Sequence, residues 1–244
     1  MPVAIIIAGA RRIGASIAKG LAASGFDVGI TYHTSATEAA EVCQQIQQGG
    51  RQCHALPCDV TDHQQLTDAL VSLHSLLGRA DVVVFNAGVF PAPTHPADLH
   101  ESDLLDALRI NTVPILTVAR WYDALCREGS LSGRIVVLGS LGAREIWRDR
   151  AAYNTSKSAQ QTLVMSLARS LAPHLSINIV APGIILTDEE RHDSSAPIVS
   201  ERRIPMGRAG DATDVVDAVH YFATCSRYIT GQVIVVDGGY GLVR

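Results

Sequence analysis

Short apolar runs alternate with segments of helical periodicity along the whole chain of 244 residues. Runs rich in Val and Ile without polar alternation are typical of strands buried on both faces of a parallel sheet, and the intervening segments supply crossover helices. The predicted strands cover residues 3–8, 26–32, 53–60, 81–88, 134–140, 176–183 and 232–239. The predicted helices cover 13–24, 36–48, 62–77, 101–127, 151–172 and 211–224. The pattern predicts one doubly wound α/β domain over residues 1–244, with a parallel sheet of about seven strands flanked by helices on both faces.

One segment, about 184–208, interrupts this alternation. It is rich in Asp, Glu, Ser, Arg and Pro, and it is long for a connection between two elements. Long loops without their own secondary structure are usually lids or binding loops when they are ordered. We therefore predict that this segment is a substrate loop within the single domain.

Charge and composition exclude several classes of protein. The chain has 20 basic and 24 acidic residues, whereas a surface that follows nucleic-acid phosphates needs a basic excess. No apolar run approaches the ~20 residues of a membrane helix, and the apolar start lacks the basic region and cleavage site of a signal peptide. The five cysteines form no CxxC pair, which favours reduced thiols over a disulfide framework or a metal site. We expect a cytoplasmic protein that binds no nucleic acid, membrane or metal.

The turn between the first predicted strand and helix, residues 9–14, reads Gly-Ala-Arg-Arg-Ile-Gly. Backbone amides at a helix N-terminus attract phosphate, and Gly9 permits a tight turn beneath a pyrophosphate. Gly14 allows the helix to pack closely on the strand, whereas Arg12 replaces the usual middle glycine. The strand–turn–helix context favours a dinucleotide-binding turn of a Rossmann fold, and an ordinary connection is the alternative.

The end of the second predicted strand bears on which dinucleotide binds. In such folds an acidic residue at this position bonds the ribose 2′-hydroxyl of NAD. Here the stretch consists of Tyr32, His33, Thr34 and Ser35, and the first carboxylate is Glu38. Hydroxyl and imidazole groups, with Arg11 or Arg12 from the first turn, suit a 2′-phosphate and favour NADP(H), unless His33 is a plain surface histidine.

A candidate acid–base group lies on the helix predicted over 151–172. Tyr153 and Lys157 are four residues apart and therefore project from one face. A nearby cation lowers the pKa of a phenol from about 10 toward neutrality, and a hydroxyl such as Ser140 can hold a substrate oxygen beside it. Lys157 is one of only two lysines among the 20 basic residues. The alternative is that the Tyr and Lys lie on a solvated helix face.

Taken together, these motifs resemble the short-chain dehydrogenase/reductase family over essentially the whole chain. The matching pieces occur in the family's order: Gly9 to Gly14, Asp59-Val60, Asn86-Ala87-Gly88, Asn111, Ser140, Tyr153 to Lys157, Pro182-Gly183 with Thr187, and Val236-Asp237-Gly238-Gly239. Each piece is modest, but eight pieces in register over one chain are highly specific.

The resemblance implies a role for each catalytic residue. Tyr153 would be the general acid in reduction, and Lys157 would bind the nicotinamide ribose and lower the tyrosine pKa. Ser140 would orient the substrate, and Asn111 would hold a water in the proton relay. Asp59 and Val60 would flank the adenine, and Thr187 would meet the carboxamide. Further cofactor contacts are implied for Ile13, Asn86, Ala87, Gly88, Pro182 and Gly183. The family is commonly tetrameric, so we expect a homotetramer.

Within the family, Arg12 and the run Tyr32–Ala36 are similar to the pteridine reductases. Ser140 departs from them, because they typically carry an aspartate there, and Thr34 stands where they usually carry arginine. The sequence therefore predicts NADPH-dependent reduction of a C=N or C=O bond. A pterin is the first-choice substrate, and a 3-oxoacyl thioester or another small ketone is the alternative. Arg12, Ser140 and Trp147 are the candidate substrate contacts. A non-catalytic NADP-binding sensor is disfavoured by the intact set Asn111, Ser140, Tyr153 and Lys157.

Overall fold

The computed structural model describes residues 1–129, 132–187 and 201–243. These residues form a seven-stranded sheet in the order β3-β2-β1-β4-β5-β6-β7, and every neighbouring pair is parallel. The strands are β1 (Val3–Ile7), β2 (Asp27–Tyr32), β3 (Cys53–Pro57), β4 (Val82–Phe85), β5 (Gly133–Leu138), β6 (Leu175–Pro182) and β7 (Val233–Val236). The predicted doubly wound sheet is confirmed.

Helices cover both faces of the sheet and bury its side chains in two separate cores. The helices are α1 (Arg12–Ala23), α2 (Ala36–Gln48), α3 (His63–Leu77), α4 (Glu101–Asn111), α5 (Pro114–Glu128), α6 (Ala151–Leu171) and α7 (Ala212–Thr224). Ala4 and Ile6 of β1 join one core with α1, α2 and α7. Ile5 and Ile7 join the other core with α3, α5 and α6. Successive strand residues point to opposite faces, so a strand covered on both sides must be apolar throughout.

Several predicted strands end two or three residues early, at the same edge of the sheet. The run predicted over 53–60 ends at Pro57, that over 81–88 at Phe85, and that over 232–239 at Val236. The residues beyond these ends are Asp59, Asn86 and Asp237, whose polar side chains bond to loop backbone instead. Apolar content alone does not reveal where backbone pairing stops.

The single helix predicted over 101–127 is two helices, α4 and α5, separated at Thr112 and Val113. Pro114 begins α5 and has no amide hydrogen, so it cannot continue the hydrogen bonding of α4. The Thr112 hydroxyl instead donates to the Ser156 carbonyl of α6 at 2.8 Å. This break places Asn111 at the C-terminal end of α4, beside α6.

The two ends of the predicted substrate loop are described, but residues 188–200 lie outside the described residues. Ile184 and Leu186 follow β6 and exchange backbone hydrogen bonds with Gly210, just before α7. Residues Glu201–Arg203 form a short 3-10 helix. The proposed role of the whole segment as a substrate loop stays a prediction.

The cysteines depart from the expectation that all five are reduced. A disulfide joins Cys43 of α2 to Cys53 of β3, whose Cα atoms are 5.0 Å apart. That separation is within the usual disulfide range, and it results from the packing of α2 on β3. Cys58, Cys126 and Cys225 are free thiols, and burial raises the pKa of Cys58 and of Cys126 to about 11.

Across 1–129, 132–187 and 201–243, no helix combines the length and apolar character needed to cross a membrane. Within the same ranges, no group of three or more His, Cys, Asp or Glu side chains is arranged to hold a metal ion.

Candidate active site

A cleft of about 690 Å³ opens at the carboxyl ends of the strands. It lies where the strand order reverses between β1 and β4, which is the usual ligand crevice of open α/β sheets. The predicted site residues that line it are Arg12, Ile13, Asn86, Gly88, Ser140, Trp147, Tyr153, Lys157, Pro182 and Gly183. Motifs spread over the chain are therefore brought together at one edge of the sheet.

The β1–α1 turn is packed so tightly that its two glycines have no room for a side chain. A Cβ on Gly9 would lie 2.7 Å from the Ile30 side chain, and one on Gly14 would lie 2.2 Å from the Ala8 carbonyl oxygen. Asn86 donates to that same carbonyl at 2.8 Å and so fixes β4 against the turn. The packing leaves the N-terminus of α1 facing the cleft with its backbone amides, as an anionic phosphate requires.

Arg12 occupies the position where the usual motif has its middle glycine, and its backbone has φ +49°. This left-handed conformation costs a non-glycine residue of order 1 kcal/mol, so the turn geometry is kept although glycine is not. The Arg12 side chain lines the main cleft and an adjoining groove of about 490 Å³, to which Arg11, Glu38 and Thr187 also contribute.

Carboxylates lie close to the basic side chains around the end of β2, so this region carries less positive charge than the sequence predicts. Arg11 Nε lies 3.7 Å from Glu38 Oε1, so the first carboxylate after the strand offsets a cation expected to meet phosphate. His33 Nε2 lies 3.9 Å from Asp59 Oδ2. The pKa of Asp59 is lowered, chiefly by the hydrogen bond from the Thr61 backbone amide and then by that from the Thr61 hydroxyl.

Tyr153 is flanked by aromatic side chains and lines the same cleft as Ser140. Its ring stacks on Trp147 at 5.9 Å between centroids and meets Phe90 edge-on at 4.6 Å. The Ser140 hydroxyl oxygen accepts from the Gly142 amide at 3.0 Å, which fixes its position. Burial raises the pKa of Tyr153, while the nearby Ser140 hydroxyl and the charge of Arg150 act in the opposite direction.

Lys157 is buried at the base of the same cleft, where its ammonium binds protein oxygen atoms. Nζ donates to the Leu138 carbonyl at 2.9 Å and to Oε1 of Gln160 at 3.3 Å. Burial lowers the pKa of Lys157 to about 7. Nζ of Lys157 points toward Leu138 and Gln160, and the predicted effect of Lys157 on the pKa of Tyr153 stays a prediction.

Asn111 is fully buried and joins three elements by hydrogen bonds. Its side-chain oxygen accepts from the Val89 amide at 2.7 Å, and its amide nitrogen donates to Ser156 Oγ at 2.9 Å. Its backbone carbonyl accepts from Gln160 Nε2 at 2.6 Å, and Gln160 in turn contacts Lys157. The carbonyl of Asn111 is thereby linked to the ammonium through a side-chain amide, and its predicted role in holding a water stays a prediction.

The remaining predicted cofactor residues differ in their surroundings. Ala87 and Thr187 are buried, whereas Val60 is partly buried against one core. Asp59 is a partly exposed loop residue, and Tyr32 to Ser35 lead from β2 into α2. These residues lie at the carboxyl edge of the sheet, and their contacts with a cofactor stay predictions.

Sequence reasoning did not find four residues at this site: Phe90, Arg150, Gln160 and Tyr240. Arg150 carries a sequence signal, because it lies three residues before Tyr153 and therefore near it at the start of α6. Gln160 is three residues after Lys157 on the same helix. Phe90 and Tyr240 come from distant loops, and only the tertiary fold brings them to the cleft.

Because the pKa of Lys157 falls from 10.5 to about 7 on burial, the unfolded chain binds a proton that the folded protein lacks between these pH values. The unfolding free energy of the wild type should therefore rise with pH in this window relative to Lys157→Met, by at most roughly 1.4 kcal/mol per pH unit. Urea unfolding of both cofactor-free proteins from pH 6 to pH 9 measures this difference. A difference that stays constant above pH 7 would contradict a neutral, buried Lys157.

The known proteins that this chain resembles are reductases and dehydrogenases. A family described as Enoyl-(Acyl carrier protein) reductase matches residues 7–241. L-2,3-butanediol dehydrogenase of Corynebacterium glutamicum is 31% identical, over 97% of each chain. A 3-oxoacyl-[acyl-carrier-protein] reductase of Staphylococcus aureus is 30% identical, over 97% of this chain and 96% of the relative. The crystal structure of acetoin dehydrogenase from Enterobacter cloacae superposes with a TM-score of 0.89 at 30% identity, covering 100% of this chain and 96% of the other.

Proposed function

Because the chain belongs to the short-chain dehydrogenase/reductase family of oxidoreductases, we propose that it interconverts a small ketone and its secondary alcohol with NADP(H). The observation that carries this proposal is that Ser140, Tyr153 and Lys157 together line one cleft at the carboxyl edge of the sheet. A phenol that can give a proton and a hydroxyl that can hold an oxygen are the groups that carbonyl reduction needs.

The residues present fit a nicotinamide dinucleotide. The space that a Cβ on Gly14 would need is already filled by the Ala8 carbonyl, so α1 can present its amide groups close to the strand. Arg12 at this turn would hold the pyrophosphate, and Lys157 would hold the nicotinamide ribose. When bound, the cofactor supplies or accepts the hydride. Tyr153 would donate a proton to the carbonyl oxygen in reduction, and Ser140 would orient that oxygen by a hydrogen bond.

The choice of a ketone over a pterin rests on two observations. Ser140 occupies the position at which a pteridine reductase typically carries an aspartate, and a serine suits a carbonyl oxygen. The relatives named above are a butanediol dehydrogenase, an acetoin dehydrogenase and a 3-oxoacyl reductase. We therefore place a small ketone first among the candidate substrates and a 3-oxoacyl thioester second. A pterin is also assayed, because Arg12 in the glycine motif is similar to the pteridine reductases.

The test compares oxidation of NADPH and NADH by the purified protein with acetoin, an acetoacetyl thioester and dihydrobiopterin. We expect the small ketone to be reduced, and NADPH to be preferred at least roughly tenfold in kcat/KM, equivalent to ~1.4 kcal/mol. Arg11→Gln should narrow the preference for NADPH, because it removes a cation of the β1–α1 turn that is expected to meet the 2′-phosphate. Equal use of both cofactors would contradict the NADP(H) proposal, and NADPH binding without turnover of any substrate would favour a sensor.

The homotetramer implied by the family resemblance and a cytoplasmic location also stay predictions. Light scattering of the purified protein measures the first, and a mass of about one chain would contradict it.

A further inference from the structure

Arg150 lies in the proposed active site, but the catalytic roles above do not use it. It immediately precedes α6, three residues before Tyr153, and it lines the same cleft. Its guanidinium carbon is 4.0 Å from the centroid of the Phe90 ring, and Nη1 donates to the Pro91 carbonyl. The ring contact and the backbone bond hold the planar guanidinium in one place at the wall of the cleft.

The charge of Arg150 is not neutralised by the fold. No carboxylate in the described part of the chain lies within 4.0 Å of its nitrogen atoms, and the adjacent Asp149 pairs with Arg148 at 3.5 Å instead. Asp103 and Asp106 line a groove that also touches Arg150, but neither forms an ion pair with it. Partial burial lowers the pKa of Arg150, so the cation has lost hydration without gaining a protein anion.

The position of Arg150 does not stabilise α6 either. Cations are unfavourable at the N-terminal end of a helix, and the first turn of α6 has no acidic residue that could compensate. Helix stability therefore does not account for an arginine here, and the charge is available to a ligand in the cleft.

The described lining of the cleft carries three cations, Arg12, Arg150 and Lys157, and no carboxylate. Under the proposed function, Arg12 and Lys157 serve the cofactor. Arg150 is then the cation left for the substrate, on the side of the cleft where Phe90 and Trp147 pack against Tyr153.

We propose that Arg150 binds a carboxylate of the substrate and that the enzyme acts on short keto acids and the corresponding hydroxy acids. This inference rests on the proposed function, because it names the substrate class of the same cleft. A guanidinium offers two parallel N–H donors that match the two oxygens of a carboxylate. The half-exposed Phe90 ring and Trp147 form an apolar surface beside this pair, which strengthens its attraction relative to open water.

The test compares acetoacetate with its uncharged methyl ester in the wild type and three variants. Arg150→Gln removes the charge but keeps a donor for the Pro91 carbonyl, and Arg150→Lys keeps the charge. Arg144→Gln is the matched control, because Arg144 is exposed and does not line the cleft. The measured quantity is kcat/KM for the acid divided by kcat/KM for the ester, since any effect of Arg150 on Tyr153 is common to both substrates and cancels.

We expect this ratio to fall at least tenfold in Arg150→Gln, to fall less in Arg150→Lys, which keeps the charge but not the paired donors, and to be unchanged in Arg144→Gln. Added salt should raise KM for acetoacetate in the wild type and leave KM for the ester unchanged. An equal loss for acid and ester in Arg150→Gln would overturn the inference and assign Arg150 to the structure of the Pro91 loop. If neutral ketones alone are reduced, the inference fails and the proposed function stands, whereas reduction of no ketone overturns both.

Discussion

Tyr153→Phe is expected to lower kcat for ketone reduction at least about 1,000-fold, because general acid–base catalysis contributes roughly 10²–10⁴ to such rates. The substitution removes only the phenol hydroxyl of a ring that lines the same cleft as Ser140. The ring remains and keeps its contacts with Trp147 and Phe90, so the cleft keeps its shape. Affinity for NADPH should therefore stay within about threefold of the wild type, because the loss is one of proton transfer.

Steady-state kinetics with acetoin and a fluorescence titration with NADPH measure the two quantities. Tyr240→Phe is the matched control, since Tyr240 lines the same cleft and loses the same hydroxyl. We expect this variant to retain at least about a third of wild-type kcat, because a hydroxyl outside the proton transfer contributes little to the transition state. A Tyr153→Phe enzyme with more than a tenth of wild-type turnover would assign the proton donor to another group.

The fold could be predicted from the sequence because the five inner strands are buried on both faces, whereas the edge strands β3 and β7 are partly exposed. In β1 the residues Ala4 and Ile6 face one core, and Ile5 and Ile7 face the other, so the whole strand has to be apolar. Where a helix or strand ends depends in addition on tertiary contacts. The split between α4 and α5 depends on Pro114 and on the hydrogen bond from Thr112 to α6, and that bond exists only after α6 has packed.

The place of the candidate site could be predicted, because Asn86, Ser140 and Pro182 lie at the carboxyl ends of parallel strands, which meet at one edge. The surroundings that set the pKa values of its side chains could not. Gln160 contacts both Lys157 and the Asn111 carbonyl, and these three residues belong to two packed helices. The disulfide between Cys43 and Cys53 likewise depends on how α2 packs on β3. Sequence spacing carries no information on such distances.

Arg150 shows how a neighbour can be overlooked even when its spacing is informative. It lies three residues before Tyr153, but the acid–base group is predicted from the four-residue spacing of Tyr153 and Lys157. In the structure the desolvated lysine has a pKa of about 7 and points toward Leu138, whereas the charge of Arg150 acts on the phenol. The ammonium cannot be identified as the electrostatic partner of the phenol from a four-residue spacing alone.

Gly14→Ala is expected to raise the Kd for NADPH about 100-fold, equivalent to ~2.7 kcal/mol. The new Cβ would lie 2.2 Å from the Ala8 carbonyl oxygen and 2.5 Å from Asn86 Nδ2. Backbone of β1 cannot yield as a side chain can, so the start of α1 must move away from the strand. That movement displaces the amide groups that would face the pyrophosphate and breaks the bond between Asn86 and Ala8.

Gly20, a second glycine of α1, provides a control that distinguishes displacement of the β1–α1 turn from overpacking alone. A Cβ on Gly20 would lie 2.4 Å from Cγ1 of Val216, which is a side-chain atom of α7 far along the helix from the turn. Gly20→Ala should therefore lower the unfolding free energy by about 1–3 kcal/mol and leave the Kd for NADPH unchanged, because only the α1–α7 contact is overpacked. Urea unfolding and equilibrium titration of both variants give the two quantities. If Gly14→Ala binds NADPH as tightly as Gly20→Ala does, the β1–α1 turn does not hold the cofactor phosphates.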